Sequence, residues 1–184
     1  MSDIKFYDRN MAIIDIETTG LSIKDHEIIE LAAMIYDHQN DVVLEELEIK
    51  VQPRHLETAS PEALSINGFS KVAWEEAWDL NSAITEFNIF IRDCIPVGHN
   101  VKFDLAHIEK ALEEFDIKPM YDYHCVTTDS LAWPLVSSNR LDGIGLATLC
   151  DYFGISNDGA HTALADCRRT LQLYKKLILH YNNS

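Results

Sequence analysis

Apolar residues in the first fifty positions gather into runs. Met11 to Ile16 is apolar up to Asp15, "EIIELAAMIYD" (Glu27 to Asp37) follows, and then "VVLEELEIKV" (Val42 to Val51). Each run has the length and β-branched content of a strand. Polar "HQND" between the last two has the composition of a hairpin turn. A long irregular connection comes next, in which Ser60-Pro61-Glu62 is able to start a short helical turn. Ile84, Phe87 and Ile91 at helical spacing predict a helix over Leu80 to Asp93, and "IPVG" reads as a short strand. From Asp104 onward Leu105, Ile108, Leu112 and Phe115 mark an amphipathic helix.

The C-terminal third continues the alternation. "MYDYHCVTT" predicts a strand, with Thr128 or Asp129 capping a short helix beyond it. Helices are expected over Gly143 to Phe153 and Thr162 to His180, the latter carrying Leu164, Cys167, Leu171, Tyr174 and Ile178 on one side. There is no repeat, low-complexity tract or linker, so one domain over residues 1–184 is expected. A hairpin meander followed by strands alternating with helices predicts an α/β fold with a mixed sheet.

Composition narrows the setting. Hydrophobic residues make up 47% and charged residues 24%, which argues against disorder. No uncharged apolar run approaches a membrane span, and "MSDIKFYDRN" lacks the apolar core of a secretory signal. The expected location is the cytoplasm. Cys94, Cys125, Cys150 and Cys167 are far apart without a CxxC pair, so neither a zinc site nor a disulfide framework is expected. Thirty acidic residues against 15 basic ones give a net charge of −15. Such a surface repels a polyanion except where cations reverse the local field.

Against that background "MAIIDIETTGL" poses a question, because Asp15 and Glu17 stand two apart where an apolar strand runs out. Alternate strand residues share a face, so the carboxylates are side by side. Crowded like charges are costly unless something positive lies between them. Two further segments hold acids that the apolar pattern does not explain. "VGHNVKFDLAH" sets Asp104 at a helix start, where Asp is commonly a cap; "HTALADCRRT" sets Asp166 inside the last helix, where Asp is a poor helix former. His161 precedes it by five residues.

In combination these segments resemble the DEDD superfamily of 3′→5′ exonucleases, in the subgroup with a histidine five residues before the last aspartate. The first motif matches as Asp15-Ile16-Glu17-Thr18-Thr19-Gly20-Leu21, the second as His99-Asn100 with Phe103-Asp104, the third as His161 and Asp166. Order and spacing agree from about residue 10 to residue 178, and "VTTDSLA" adds a likeness to the proofreading subunits of bacterial replicative polymerases. The resemblance implies a ribonuclease-H-like fold, a five-stranded mixed sheet flanked by helices. It also implies that Asp15, Glu17, Asp104 and Asp166 share two divalent cations, Mg²⁺ or Mn²⁺, with Asp15 bridging. His161 is then the general base that takes the proton from the attacking water. By the same resemblance Thr18, Thr19 and Gly20 lie near the terminal 3′-hydroxyl. Leu21, Ile66 and Phe69 pack on the last base, with Asn67 beside them where proofreading subunits often carry histidine. Asn100, Lys102 and Phe103 of the second motif complete the expected substrate contacts, Lys102 as a phosphate ligand.

The function so implied is removal of nucleotides from nucleic-acid 3′ ends, DNA ahead of RNA, with a polymerase subunit as a conceivable partner. The chain ends soon after the last helix, which weighs against a dedicated polymerase-binding tail. The alternative within the class is an RNA-trimming enzyme of the ribonuclease T or oligoribonuclease type, since the same five residues serve both substrates. "DIETTG" also has the opening of an EF-hand loop, but its twelfth place is His26 and a strand precedes it. A non-catalytic binding module would be expected to have lost a ligand residue, and none is missing.

Overall fold

The computed structural model describes residues 5–157 and 161–182. Five strands, β1 (Met11–Thr18), β2 (Ile28–Asp37), β3 (Val42–Lys50), β4 (Ile95–Gly98) and β5 (Val126–Thr127), form one sheet in the order β3-β2-β1-β4-β5. The first three pair antiparallel, while β4 and β5 join in parallel, which gives the expected mixed sheet. The helices are α1 (Pro61–Ile66), α2 (Leu80–Phe90), α3 (Val101–Glu114), α4 (Thr128–Ser137), α5 (Leu146–Phe153) and α6 (Ala163–Asn182).

Strand alternation divides the core. One face of β1, with Ala12, Ile14 and Ile16, packs against Ile84 and Phe87 of α2 and Ile108 and Leu112 of α3. The other face, with Met11 and Ile13, meets Ala163, Cys167 and Leu171 of α6. A sheet covered on both sides explains why β2 is buried through nine of its ten residues. Leu135, Leu149, Leu173 and Leu177 make a third cluster that fastens α4 and α5 to α6. Three of the four cysteines are buried in these clusters as free thiols, and Cys125 is half-buried. Among the described residues no helix is long and apolar enough to cross a membrane.

Several boundaries differ from the sequence expectation. β1 runs on through the acidic pair to Thr18, since Glu17 still registers with Glu30 of β2 before a bulge at Thr18. β5 keeps only two residues of the nine expected. The chain before it follows β4 irregularly, with Asp122 N donating to Cys94 O while the Asp122 carboxylate is drawn to Arg9 and His124. α2 stops at Phe90, ahead of a turn in which Asp93 takes φ 60°. Thr127, rather than Thr128 or Asp129, occupies the N-cap of α4, and Asp129 instead accepts from the Thr127 hydroxyl. Ser60 does cap α1, its hydroxyl accepting from Ala63 N at 3.3 Å.

Candidate active site

The site is built where β1 leaves the sheet. Asp15 and Glu17 point to the α6 side, and the first turn of α6 brings Asp166 down beside them. One carboxylate oxygen from each of these three lies within 4.8 Å of the others. Asp104 stands in the first turn of α3 and is 4% exposed; its Oδ1 accepts from Ile16 N at 3.1 Å, between the paired acids. The topology explains the convergence. β4 runs parallel beside β1, so α3 starts at the same sheet edge at which β1 ends. Crossover helices deliver their N-termini to that edge.

The electrostatics are those of a cation trap. Burial, then Asp104, Asp166 and Glu17, raise the Asp15 carboxyl well above its ordinary range. Burial and Asp166 push Glu17 up to about 7, and burial also raises Asp104. Carboxylates so perturbed are a mark of functional sites. Three hard oxygen donors, two from β1 and one from α6, suit a divalent cation such as Mg²⁺ or Mn²⁺.

The loop after β1 is shaped by small residues and buried hydroxyls. Gly20 has φ 154°, and a Cβ there would run into the His26 ring. The Thr18 hydroxyl donates to Gly20 O at 2.8 Å. Thr19 is fully buried and exchanges backbone bonds with Glu27 O and Ser60 N, while its hydroxyl accepts from Glu27 N. Asn67, 6% exposed, uses both ends of its amide inside the protein: Nδ2 donates to Thr18 O at 3.1 Å and Oδ1 accepts from Phe69 N at 3.2 Å. That places Asn67 as a tie between α1 and the end of β1. Leu21 is 83% exposed and Ile66 50% exposed, whereas Phe69 is half-buried against Trp74. Leu21 and Ile66, standing in water, do not belong to the core.

In the second motif Asn100 is exposed and enters α3 at φ 56°. Lys102 is exposed, and Phe103 is half-buried with its ring 4.8 Å from that of His107. His99 Nδ1 lies 2.9 Å from the Thr128 hydroxyl, tying β4 to α4. His161 is exposed, two residues ahead of α6, with φ 71°. That conformation is uncommon for a residue other than glycine.

Two charged residues were not singled out from the sequence. Glu30 is 3% exposed directly across from Glu17, and burial with the Glu48 carboxyl pushes it up to about 8. An acid inside the apolar "EIIELAAM" was its signal. Arg169 is 5% exposed and ion-pairs with Asp166. Its signal was register: with Asp166, Leu173 and Leu177 it falls on one buried face of α6.

Comparison with known proteins points to one class of enzyme. A family model described as an exonuclease, of the RNase T type, matches residues 12–174. A ribonuclease T from Shewanella denitrificans is 28% identical over 188 residues, covering 90% of this chain and 79% of its own. A PolC-type DNA polymerase III from Staphylococcus aureus is 26% identical over 96% of this chain, which spans only 12% of that polymerase. E. coli exonuclease I, solved in complex with an oligonucleotide, superposes with a TM-score of 0.78 at 18% identity, over 92% of this chain and 41% of that one. At that identity the superposition speaks for the fold.

Proposed function

The chain belongs to the RNase T exonuclease family, and from that premise we propose a two-metal 3′→5′ exonuclease that trims single-stranded or frayed 3′ ends of DNA to nucleoside 5′-monophosphates. The observation that carries the proposal is the meeting of Asp15, Glu17 and Asp166 within 4.8 Å. These three would hold one divalent cation, and Asp15 with Asp104 a second. When bound, such cations neutralise the phosphodiester and stabilise the attacking and leaving oxygens of an in-line displacement. They also supply the local positive field that a chain of net charge −15 otherwise lacks.

The protein's own groups do the rest. Asp104, pinned by Ile16 N, keeps α3 in register with β1. His161, exposed five residues before Asp166, takes the proton from the attacking water as general base. Leu21, Ile66 and Phe69 offer apolar contact to the terminal base, which recognises an end without reading its sequence. Thr18 and the Thr19-Gly20 backbone line the place of the 3′-hydroxyl, held there by Asn67. Lys102, the exposed side chain of the first turn of α3, meets a phosphate, flanked by Asn100 and Phe103. The four free cysteines accord with a cytoplasmic enzyme, and the likeness to a PolC-type polymerase supports a polymerase as partner.

RNA is the second reading, favoured by the ribonuclease T matched over 79% of its length. Parallel digestion of DNA and RNA oligonucleotides of one sequence, in millimolar Mg²⁺, separates the two. Faster loss of nucleotides from DNA is expected. A preference for RNA would replace the substrate and leave the chemistry in place.

A further inference from the structure

The exonuclease reading leaves Arg169 without a task. Its guanidinium is buried on α6, one turn after Asp166. One terminal nitrogen ion-pairs with Asp166 Oδ1, and the other donates to Asn157 Oδ1 at 2.9 Å. Asn157 Nδ2 in turn donates to Asp151 Oδ1, on the last turn of α5, at 2.7 Å. A guanidinium is planar and permanently charged, with donors in a fixed fork. Taking it out of water is unfavourable unless those donors are matched; both terminal nitrogens are, while Nε has no partner among the described residues. The pair with Asp166 would suffice to balance charge. The second arm of the fork is the informative one, because Asn157 lies in the connection from α5 to α6, four residues ahead of His161.

We propose that Arg169, acting with Asn157, is a positioning residue. The fork sets the Asp166 carboxylate at the metal site and holds Asn157, so that His161, four residues further on, is presented in register with the metals. This rests on the exonuclease reading above. A lysine ammonium has three donors but gathers them on one nitrogen at the end of a flexible stem, so it lacks the rigid fork that sets two partners at a fixed spacing, which is why arginine rather than lysine serves here. If Arg169 merely neutralised Asp166, Asn157 would be dispensable.

The test compares wild type, Asn157→Ala, Arg169→Lys, Arg169→Met and the Asn157→Ala/Arg169→Met double variant. Each is measured for nucleotide release from a single-stranded oligonucleotide in Mg²⁺ and for Mn²⁺ affinity by calorimetry without substrate. Asn157→Ala should keep wild-type Mn²⁺ affinity and KM while kcat falls about tenfold or more. Arg169→Met should lose kcat and also weaken Mn²⁺ binding about tenfold, since Asp166 is no longer held. Arg169→Lys should recover Mn²⁺ affinity but not kcat. The double variant should be no slower than Arg169→Met, because both changes cut one link. Wild-type kcat in Asn157→Ala, or a double variant whose loss is the product of the single losses, would overturn the proposal. Should Arg169→Met not fold, Asn157→Ala and Arg169→Lys carry the test. A wild-type protein that binds Mn²⁺ yet releases no nucleotide would refute the exonuclease reading instead, and the Mn²⁺ titrations would still decide whether Arg169 holds Asp166.

Discussion

Replacing Glu17 by Gln should stabilise the metal-free protein. Burial and Asp166 push the Glu17 carboxyl from 4.5 up to about 7, so above neutral pH the fold holds an ionised group that its surroundings disfavour. At about 1.36 kcal/mol per tenfold change in proton affinity, that difference corresponds to about 3.4 kcal/mol. Residual solvent contact of the half-buried side chain screens part of it, leaving about 1–2 kcal/mol at pH 8. For a chain of this size that is a rise in Tm of about 2–8 °C. The sign follows from linkage. Below about pH 4.5 the carboxyl is protonated in both folded and unfolded chains and the substitution changes little. As pH rises through about 7 the folded protein must give up a proton that it holds more tightly than the unfolded chain does, and wild type loses stability. Asp15, Glu30 and Asp104 are raised as well, each in part by the Glu17 charge, so the difference between the two proteins reports Glu17 together with the repulsion it imposes on these neighbours. Thermal melts in EDTA from pH 5 to pH 8.5 measure it. Mg²⁺ at about 100-fold over its Kd should reverse the order, adding about 2.7 kcal/mol to wild type and little to the variant. A Glu17→Gln variant no more stable than wild type at pH 8 in EDTA would refute the repulsion argument.

Asp15→Ala and Asp166→Ala should each abolish nucleotide release with the fold retained by circular dichroism, yet their metal-free Tm values should part. Asp15→Ala relieves crowding and holds or raises Tm. Asp166→Ala leaves the buried Arg169 guanidinium without its partner and lowers Tm, breaking a buried pair being worth about 3–5 kcal/mol. His161→Ala should slow release by about 10²–10⁴-fold, the usual worth of a general base, with Mg²⁺ affinity unchanged by calorimetry; a loss of affinity would move His161 into the metal shell. A 3′-phosphate on the substrate should block digestion, measured on otherwise identical oligonucleotides.

The elements whose own residues carry a strong apolar pattern were legible at the outset. β1, β2 and β3 follow from apolar runs of strand length, and the amphipathic α3 and α6 from helical spacing. What escaped depends on partners distant in sequence. The tyrosines of "MYDYHCVTT" alternate like a strand, yet β4 is only four residues long and Asp122 is drawn aside by Arg9, so two residues pair. Asp15, Glu17 and Asp166 declared themselves as charges in apolar surroundings, and the structure brings them together. Asp104 was less distinct, because an acid near a helix start is commonly a cap; its carboxylate in fact reaches Ile16 N, 88 residues away. Asn67 is spent on Thr18 O and Phe69 N, and no local pattern announces such a tie. Arg168 and Arg169 are adjacent and chemically identical, yet Arg168 is exposed on Glu46 while Arg169 turns inward to Asp166.

The central claim, a metal-dependent 3′→5′ exonuclease, is tested most directly by product analysis on a 5′-labelled single-stranded oligonucleotide. With pure protein and Mg²⁺ the label should appear in a ladder of fragments shortened one nucleotide at a time from the 3′ end, with nucleoside 5′-monophosphates accumulating in step and nothing released in EDTA. Cleavage of a covalently closed single-stranded circle, release of nucleoside 3′-monophosphates, or undiminished release in EDTA would contradict it.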